Sequence, residues 1–475
     1  MGREPIQHVH LIGICGTAMA SLAGMLKQLG MQVTGSDAAA YPPMSDFLRS
    51  LSIPVAQPFS EGNLNPRPDL VVVGNAISRG NPELEYVLDQ RIPMRSLPQI
   101  LQDRFLRTRE PIVVAGTHGK TTTTSMLAWI FQVAGLDPSF LIGGIAENFA
   151  SSFAVKAGKH FILEGDEYDT AFFDKGPKFL HYMPASLLLT HVEFDHADIY
   201  RDLEAVKVAF KRLVNLVPRR GMIVAFDGSD NVKECVSKAF CPVEWYGCSE
   251  SATWRATNLK FGAEKTSWKL LRQGKPWADL EFPLAGAYNV LNATGAAAIA
   301  ANYGIAAEQV AQALKTFKSV KRRLEVKGEI NGITIIDDFA HHPTAIAATL
   351  EAVRTRYPRR RIWAVFEPRS NTLRRKIFEN DLVQSLALAD EVVIASVFRA
   401  EAVPENERLE PSVIVHGLAA KGKNARQFAD ADAIVAAIVP ELKPGDVVTI
   451  LSNGGFGGIY EKLPKRLSSL SEVHA

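Results

Sequence analysis

Pro111-Ile112-Val113-Val114-Ala115-Gly116-Thr117-His118-Gly119-Lys120-Thr121-Thr122-Thr123 decides how the chain is read. An apolar strand runs into a glycine turn, a Lys-Thr pair and a helix. Leu127, Ile130, Phe131 and Ala134 continue that helix at helical spacing, and Gly135 stops it. Such a turn points backbone N–H groups and a helix N-terminus at an anion. The Lys120 charge suits β- and γ-phosphates, and the Thr121 hydroxyl suits Mg²⁺. The strict phosphate-loop formula wants glycine where Val114 stands, so this is a shortened variant. The pattern predicts nucleoside triphosphate binding. The alternative is a glycine turn carrying a solvated lysine.

At 475 residues the chain exceeds one core and predicts about three domains. Hydrophobic content of 47% with 22% charge is that of a globular protein, which excludes a disordered or fibrous class. A net charge of +2 gives no argument for a nucleic-acid partner, and none is expected. Cys15, Cys235, Cys241 and Cys248 form no CxxC pair and have no histidine at zinc-finger spacing, so free thiols in a reducing compartment are expected. A secretory leader and an apolar run of about 18 residues are both missing, which predicts no membrane insertion and cytoplasmic work.

Residues 8 to 37 read as a βαβ unit: strand His8 to Ile12, turn Gly13-Ile14-Cys15-Gly16-Thr17-Ala18, a stripe of Met19, Leu22, Ala23 and Leu26, then strand Val33 to Asp37. The turn is close to the dinucleotide fingerprint, with Cys15 where the second glycine belongs. Gly13 and Gly16 admit a diphosphate at the helix N-terminus, and Asp37 stands where a sugar-hydroxyl partner would. Hydride transfer with a nicotinamide cofactor and a grip on a nucleotide diphosphate both remain open from this unit. A third strand, Asp69 to Gly74, leads into Asn75-Ala76-Ile77-Ser78 at its carboxyl end, where open α/β sheets place ligands. The arginine-rich stretch Leu101 to Glu110 reads as the first boundary.

Past the phosphate loop, Ile142-Gly143-Gly144-Ile145 with Asn148 reads as a glycine-rich loop. Strand Phe161 to Glu164 ends in a carboxylate followed by Gly165-Asp166-Glu167-Tyr168-Asp169, and strand Leu187 to Leu189 ends in Thr190-His191-Val192-Glu193-Phe194-Asp195-His196. Strand ends beside a phosphate loop carry metal chemistry, so Glu164 and His196 are candidates for magnesium, although histidine is an unusual ligand for it. Asn289 and Asn292 lie one helical turn apart and can face one ligand edge, or serve as ordinary capping residues. After Lys321-Arg322-Arg323 a further α/β unit begins, with ligand loops at 337–343, 367–375 and 452–458. Strands alternating with helices predict a mostly parallel sheet there, and the arginine-rich and glycine-rich loops suit carboxylates or phosphates.

Together these pieces resemble the Mur ligases, the ATP-dependent amino-acid and peptide ligases of peptidoglycan synthesis. GTHGKTTT (116–123), Glu164, EFDH (193–196), NVLN (289–292), Arg323 and DDFAHHP (337–343) fall in the family's order across almost the whole chain. Within the family, GTHGKTTT and DDFAHHP look like the branch acting on UDP-N-acetylmuramate. GNAISRGNPE (74–83), LEGDEYDTAFFDKGPKF (163–179), FEPRSNT (366–372) and SNGGFGG (452–458) look like its peptidoglycan-recycling members, and 175–183 looks like an insertion relative to the L-alanine ligases. The carbamylated lysine of several Mur ligases has no match, since Phe210 stands at that position with Lys211 beside it.

The resemblance implies an α/β chain of three domains: an N-terminal Rossmann-like UDP-binding domain (1–108), a central P-loop ATPase-like domain (109–325) and a C-terminal Rossmann-like domain that binds the peptide (326–475). It implies that the lactoyl carboxylate of UDP-N-acetylmuramate attacks the γ-phosphate of ATP. The acyl phosphate is then taken by the amine of L-alanyl-γ-D-glutamyl-meso-diaminopimelate. L-Alanine is the alternative amine, and an NAD-dependent oxidoreductase the more distant alternative. Lys120, Glu164 and His196 would be catalytic, with Thr121, Glu164 and His196 holding Mg²⁺. Gly116, Thr117, His118, Gly119, Thr121, Thr122, Asn289, Asn292, Arg323 and Asp338 would join Lys120 around ATP. Gly13, Gly16, Thr17, Asp37, Asn75 and Ser78 would line the UDP sugar, and Arg369, Asn371, Asn453, Gly454 and Gly455 the muropeptide. A monomer or weak homo-oligomer is expected.

Overall fold

The computed structural model describes residues 6–40 and 44–472 and contains three main sheets. The first has five parallel strands in the order Val55–Ala56, Gln32–Ser36, His8–Ile12, Leu70–Val73, Met94–Ser96. Its order reverses between His8–Ile12 and Leu70–Val73, the place where such sheets open a crevice. Gly13 and Gly74 follow those two strands, so the Gly13 turn and the Asn75 loop flank that crevice.

The second sheet has ten strands, and Glu110–Ala115 lies inside it between Ser186–Leu189 and His160–Gly165. Both faces of that strand are covered, which is why Ile112, Val113 and Val114 form an unbroken apolar run rather than an alternating one. Register pairs Ala115 with Gly165 on one side and with Leu189 on the other. The phosphate turn, Glu164 and the 190–196 segment therefore leave the sheet at one edge. Helix Lys120–Val133 buries Met126, Leu127, Ile130 and Phe131 completely. Each such side chain contributes about 1.5–3 kcal/mol, enough to override four successive threonines of weak helix propensity. Gly135, at φ +78°, terminates it while the N–H of Leu136 returns to the Phe131 carbonyl. At the far edge three antiparallel strands, Trp254–Phe261, Thr266–Arg272 and Lys275–Phe282, extend the sheet.

The third sheet has six strands, parallel except for Glu325–Ile330 at its edge. Asp338 is level with Leu451, and Leu451 with Phe366, so the 337–343, 452–458 and 367–375 loops emerge side by side.

One expectation is corrected. Gly143 and Gly144 lie in strand Ser139–Ala146, not in a loop, because that segment pairs with its neighbours at Phe161–Leu163 and Phe153–Ala154. The 101–110 stretch, read as the first boundary, is helical in part: helix Leu97–Leu101 runs into a wider helical turn, Gln102–Leu106, which buries Phe105 and Leu106 and turns Arg104 and Arg107 outward. The 175–183 insertion folds with the residues before it as hairpin Asp169–Ala171 and Asp174–Pro177, then turn Lys178–His181.

Candidate active site

Gly116 and Gly119 carry φ +131° and +80°, values that a side chain resists. At Gly119 a Cβ would also lie 2.6 Å from Asn292 Oδ1, so the turn packs directly on the 287–302 helix. Lys120 folds back over the turn. Its Nζ donates to the Gly116 carbonyl at 2.8 Å and to both carboxylate oxygens of Glu167 at 2.9 Å. Thr121 Oγ1 donates to Glu164 at 3.2 Å and accepts from Arg323 at 3.3 Å. The N–H of Gly143 donates to the other Glu164 oxygen at 2.5 Å.

The carboxylates are tuned in opposite directions. Burial pushes Glu164 above the usual range, although Gly143, Lys120 and Arg323 pull it back. Glu167 is held below that range: burial opposes its charge, and Lys120 and His196 outweigh the burial. Lys120 stays above its ordinary value for the reciprocal reason, with Glu167 and Asp166 overcoming burial. One group favours a proton and its neighbour refuses one, an arrangement typical of reactive sites.

His196 does not meet Glu164. Its Nε2 lies 3.3 Å from Glu167, so the expected Thr121–Glu164–His196 set separates into Thr121 with Glu164 and His196 with Glu167. The reason is local. His196 sits at φ +54°, with its backbone N–H on Asp195 at 2.6 Å, and this left-handed turn aims the ring at Glu167. Glu167 is the residue that sequence reading left unassigned. Its signal was the acidic run after Glu164, but spacing alone does not say which carboxylate turns inward. Phe210 packs in the core on Phe179, and Lys211 pairs with Glu234 at 2.6 Å, so neither lysine nor phenylalanine takes part.

A cavity of ≈ 470 Å³ opens at this turn. Its walls include Thr117, His118, Gly119, Lys120, Thr121, Thr122, Glu164, His196, Asn289, Asn292, Arg323 and Asp338, with Ala18 from the first unit. Asn289 gives its amide N–H to Ala285 at 2.8 Å and takes a long contact of 3.5 Å from Asn292, so the pair is linked rather than parallel. Asp338 is buried and accepts from the N–H groups of Leu324 and Ala340, at 2.7 and 2.8 Å. It therefore braces the loop that carries Arg323, whose neighbours Arg322 and Leu324 both have positive φ.

A second cavity of ≈ 350 Å³ is lined by Arg369, Asn371, Arg374, Arg399, Asn453 and Tyr168. Arg369 stacks 3.7 Å from the Phe398 ring centroid, and an added Cβ at Gly454 would collide with its guanidinium. Asn371 donates to Asp198 at 2.6 Å and accepts from Arg374. Gly455 is exposed beside this group. Arg374 and Arg399 extend the expected set; Arg374 stood in the arginine-rich 367–375 loop, whereas Arg399, outside every loop read from the sequence, reaches the cavity rim from an exposed position. The two cavities share Asp195, His196 and His341.

In the first unit Gly13 has φ +82°, and its N–H and that of Ile14 go to Ser36. The N–H of Cys15 donates to Asp37 at 2.8 Å, so one Asp37 oxygen is already engaged within the turn. Gly16, Thr17, Asn75 and Ser78 are exposed along the crevice. Among the described residues, no helix is long and apolar enough to cross a membrane.

Three family descriptions match in succession: "Mur ligase family, catalytic domain" over residues 8–108, "Mur ligase middle domain" over 114–300 and "Mur ligase, glutamate ligase domain" over 322–454. The chain is 43% identical over 470 residues to the UDP-N-acetylmuramate–L-alanyl-γ-D-glutamyl-meso-2,6-diaminoheptandioate ligase of Escherichia coli K12, covering 98% of this chain and 99% of that one. It is 33% identical over 455 residues to the UDP-N-acetylmuramate–L-alanine ligase of Desulfitobacterium hafniense, covering 96% and 98%. The crystal structure of a murein peptide ligase from Psychrobacter arcticus superposes with a TM-score of 0.75 at 36% identity, covering 97% of this chain and 99% of that one.

Proposed function

The chain belongs to the Mur ligase family, and from that premise we propose that it joins the lactoyl carboxylate of UDP-N-acetylmuramate to the free amine of L-alanyl-γ-D-glutamyl-meso-diaminopimelate, using ATP, in peptidoglycan recycling. The observation that carries this reading is the wall that the two cavities share at Asp195, His196 and His341. A phosphate loop opens on one side of it and three arginines on the other. Activation and amine attack thus take place across a single partition.

The acid must be activated, because a carboxylate does not condense with an amine in water. Bringing it to the γ-phosphate sets anion against anion, so the barrier is dominated by charge repulsion. Lys120 would exchange Glu167 for phosphate oxygens, and Arg323, beside Thr121, would take up charge on the transferred group. The oxygen donors Thr121 and Glu164 converge within 3.2 Å and fit a hard cation. They would hold Mg²⁺, which when bound neutralises phosphate charge. His196 would act on this site by orienting Glu167. Asn289 and Asn292 would face the nucleoside. Attack of the carboxylate on the γ-phosphate releases ADP; the amine then attacks the acyl carbon, the C–N bond forms, and inorganic phosphate and the amine's proton leave.

Gly13, Gly16, Thr17, Asp37, Asn75 and Ser78 would line the UDP sugar at the crevice of the first sheet. Arg369, with Asn371 and Asn453, would read the peptide's carboxylates, since a guanidinium matches them in a two-point contact that a lone alanine uses less fully. The division into 1–108, 109–325 and 326–475 then gives each substrate one unit. Within the family an oxidoreductase role for the first turn falls away. The L-alanine ligase reading is separated by one assay: ATP-dependent ligation to UDP-N-acetylmuramate with tripeptide against L-alanine, followed by mass spectrometry. The tripeptide is expected to be used at least about 10-fold better in kcat/KM, about 1.4 kcal/mol. Equal use of alanine would overturn the assignment.

A further inference from the structure

His118, Glu193 and His342 come from three separate segments and converge at the edge of the ≈ 470 Å³ cavity, with none of the three bonded to Glu164 among the contacts of the described residues. Their ligand atoms all lie within 4.8 Å of one another. His118 Nε2 is 3.0 Å from Glu193 Oε2, and His342 Nδ1 is 3.7 Å from the same oxygen. A tetrahedral zinc with bonds of 2.0–2.1 Å spaces its ligands about 3.3 Å apart, and the two distances bracket that value. The tautomer is suitable too. His342 Nε2 lies 3.2 Å from the carbonyl of Phe194, which can only accept, so the proton sits on Nε2 and Nδ1 presents its lone pair. Nδ1 accepts the N–H of Thr344 at a long 3.3 Å. The Thr344 hydroxyl braces the Glu193 carboxylate at 2.8 Å. A cavity of ≈ 420 Å³ opens onto Glu193, His342 and Thr344, with room for a solvent ligand in the fourth position.

We infer that His118, Glu193 and His342 form a binding site for a divalent transition metal of the zinc class, placed between the phosphate turn and the helix Pro343–Arg356 of the third unit. Two imidazoles and one carboxylate suit zinc, whereas magnesium prefers all-oxygen surroundings such as Thr121 with Glu164. His118 must release its Nε2 proton, which its Nδ1 can take in exchange. A metal there ties the turn to the helix whose N-cap is His342, and so holds the central and C-terminal units against each other. The inference concerns binding alone and stands apart from which amine the enzyme uses.

The test uses the full chain, stripped of metal and kept in excess Mg²⁺, titrated with chelator-buffered Zn²⁺ and, in crystals, located by anomalous scattering at the zinc edge. One zinc per chain is expected, bounded by these three residues. Glu193→Gln and His342→Asn should each weaken binding at least about 100-fold. Asn keeps an acceptor at the N-cap, so this variant retains the helix start. Circular dichroism without zinc verifies each fold, and the anomalous map needs neither variant. Absence of stoichiometric zinc would overturn the inference, as would a peak at Glu164 or His196, or unaltered binding by both variants. The cluster would then be a hydrogen-bonded latch only.

Discussion

The Gly13 turn and the Gly116 turn are built alike: a buried parallel strand, glycine at positive φ, and a helix that begins at Thr17 or at Lys120. Their surroundings differ. At the first turn Asp37 accepts the N–H of Cys15, and the first helical turn is open to solvent. Around the second, Glu164 and Glu167, Asn292 and Arg323 arrive from three other segments. A strand–turn–helix supplies an anion seat wherever it occurs. Chemistry is added by the strands on either side, and only the Gly116 turn has both neighbours ending in charged loops.

That contrast breaks most readily at Lys120. Lys120→Ala should lower phosphate release in the ligation assay about 10³-fold or more, near 4 kcal/mol, while UDP-sugar affinity at the first turn stays within about twofold. Ligation within about tenfold of the parent would remove the distinction between the turns. Glu164→Gln keeps the size but loses the charge and one of the two accepted hydrogen bonds, so about a 10²-fold loss in kcat is expected. A variant near full rate would show that the carboxylate is not needed.

The electrostatics of the first turn are open to a pH measurement. Burial, and then Asp37, push the Cys15 thiol up to about 11. A raised thiol pKa means less thiolate at any pH below it. Alkylation of Cys15 at pH 8 should therefore run about 100-fold slower than that of an unshifted thiol and climb only toward pH 11. Asp37→Asn should speed it. Ready labelling at pH 8 in the parent would contradict the environment described.

Glycine substitutions give the smallest effects and the sharpest contrast. Gly119→Ala meets both positive φ and Asn292, so a loss of about 1–3 kcal/mol in stability and weaker ATP binding are expected. Gly16 has φ −67° with its nearest neighbouring atom 3.9 Å from an added Cβ, and Gly16→Ala should change stability by less than about 0.5 kcal/mol. Thermal melts of the pair compare the two directly. Equal losses would mean that the turns are equally constrained.

Most strands near the site were legible because parallel strands covered on both faces carry continuous apolar runs, as at Leu187 to Leu189 and Ile362 to Phe366. Gly143 and Gly144 misled because glycine reads as a break, whereas the strand runs on through them from the Phe140–Ala154 pair to the Ala146–Ser151 pair. Arg104 and Arg107 hid the buried Phe105 and Leu106 between them. In the site, Lys120, Thr121 and Glu164 were readable because each sits at a fixed offset from a strand end. Glu167 was not, since a three-residue offset on an irregular segment carries no direction. The His118–Glu193–His342 convergence spans 118 to 342 in sequence and exists only once the third sheet is in place.

The wall of Asp195, His196 and His341 has one more consequence, for inhibition. A single molecule with an anionic head in the ≈ 470 Å³ cavity and a carboxylate tail among Arg369, Arg374 and Arg399 would pass directly over that wall. Its second contact would form within the molecule, at an effective concentration on the order of millimolar for a short linker. Affinity would then depend more on linker length than on either end group, and enzymes with a different tail pocket would be spared.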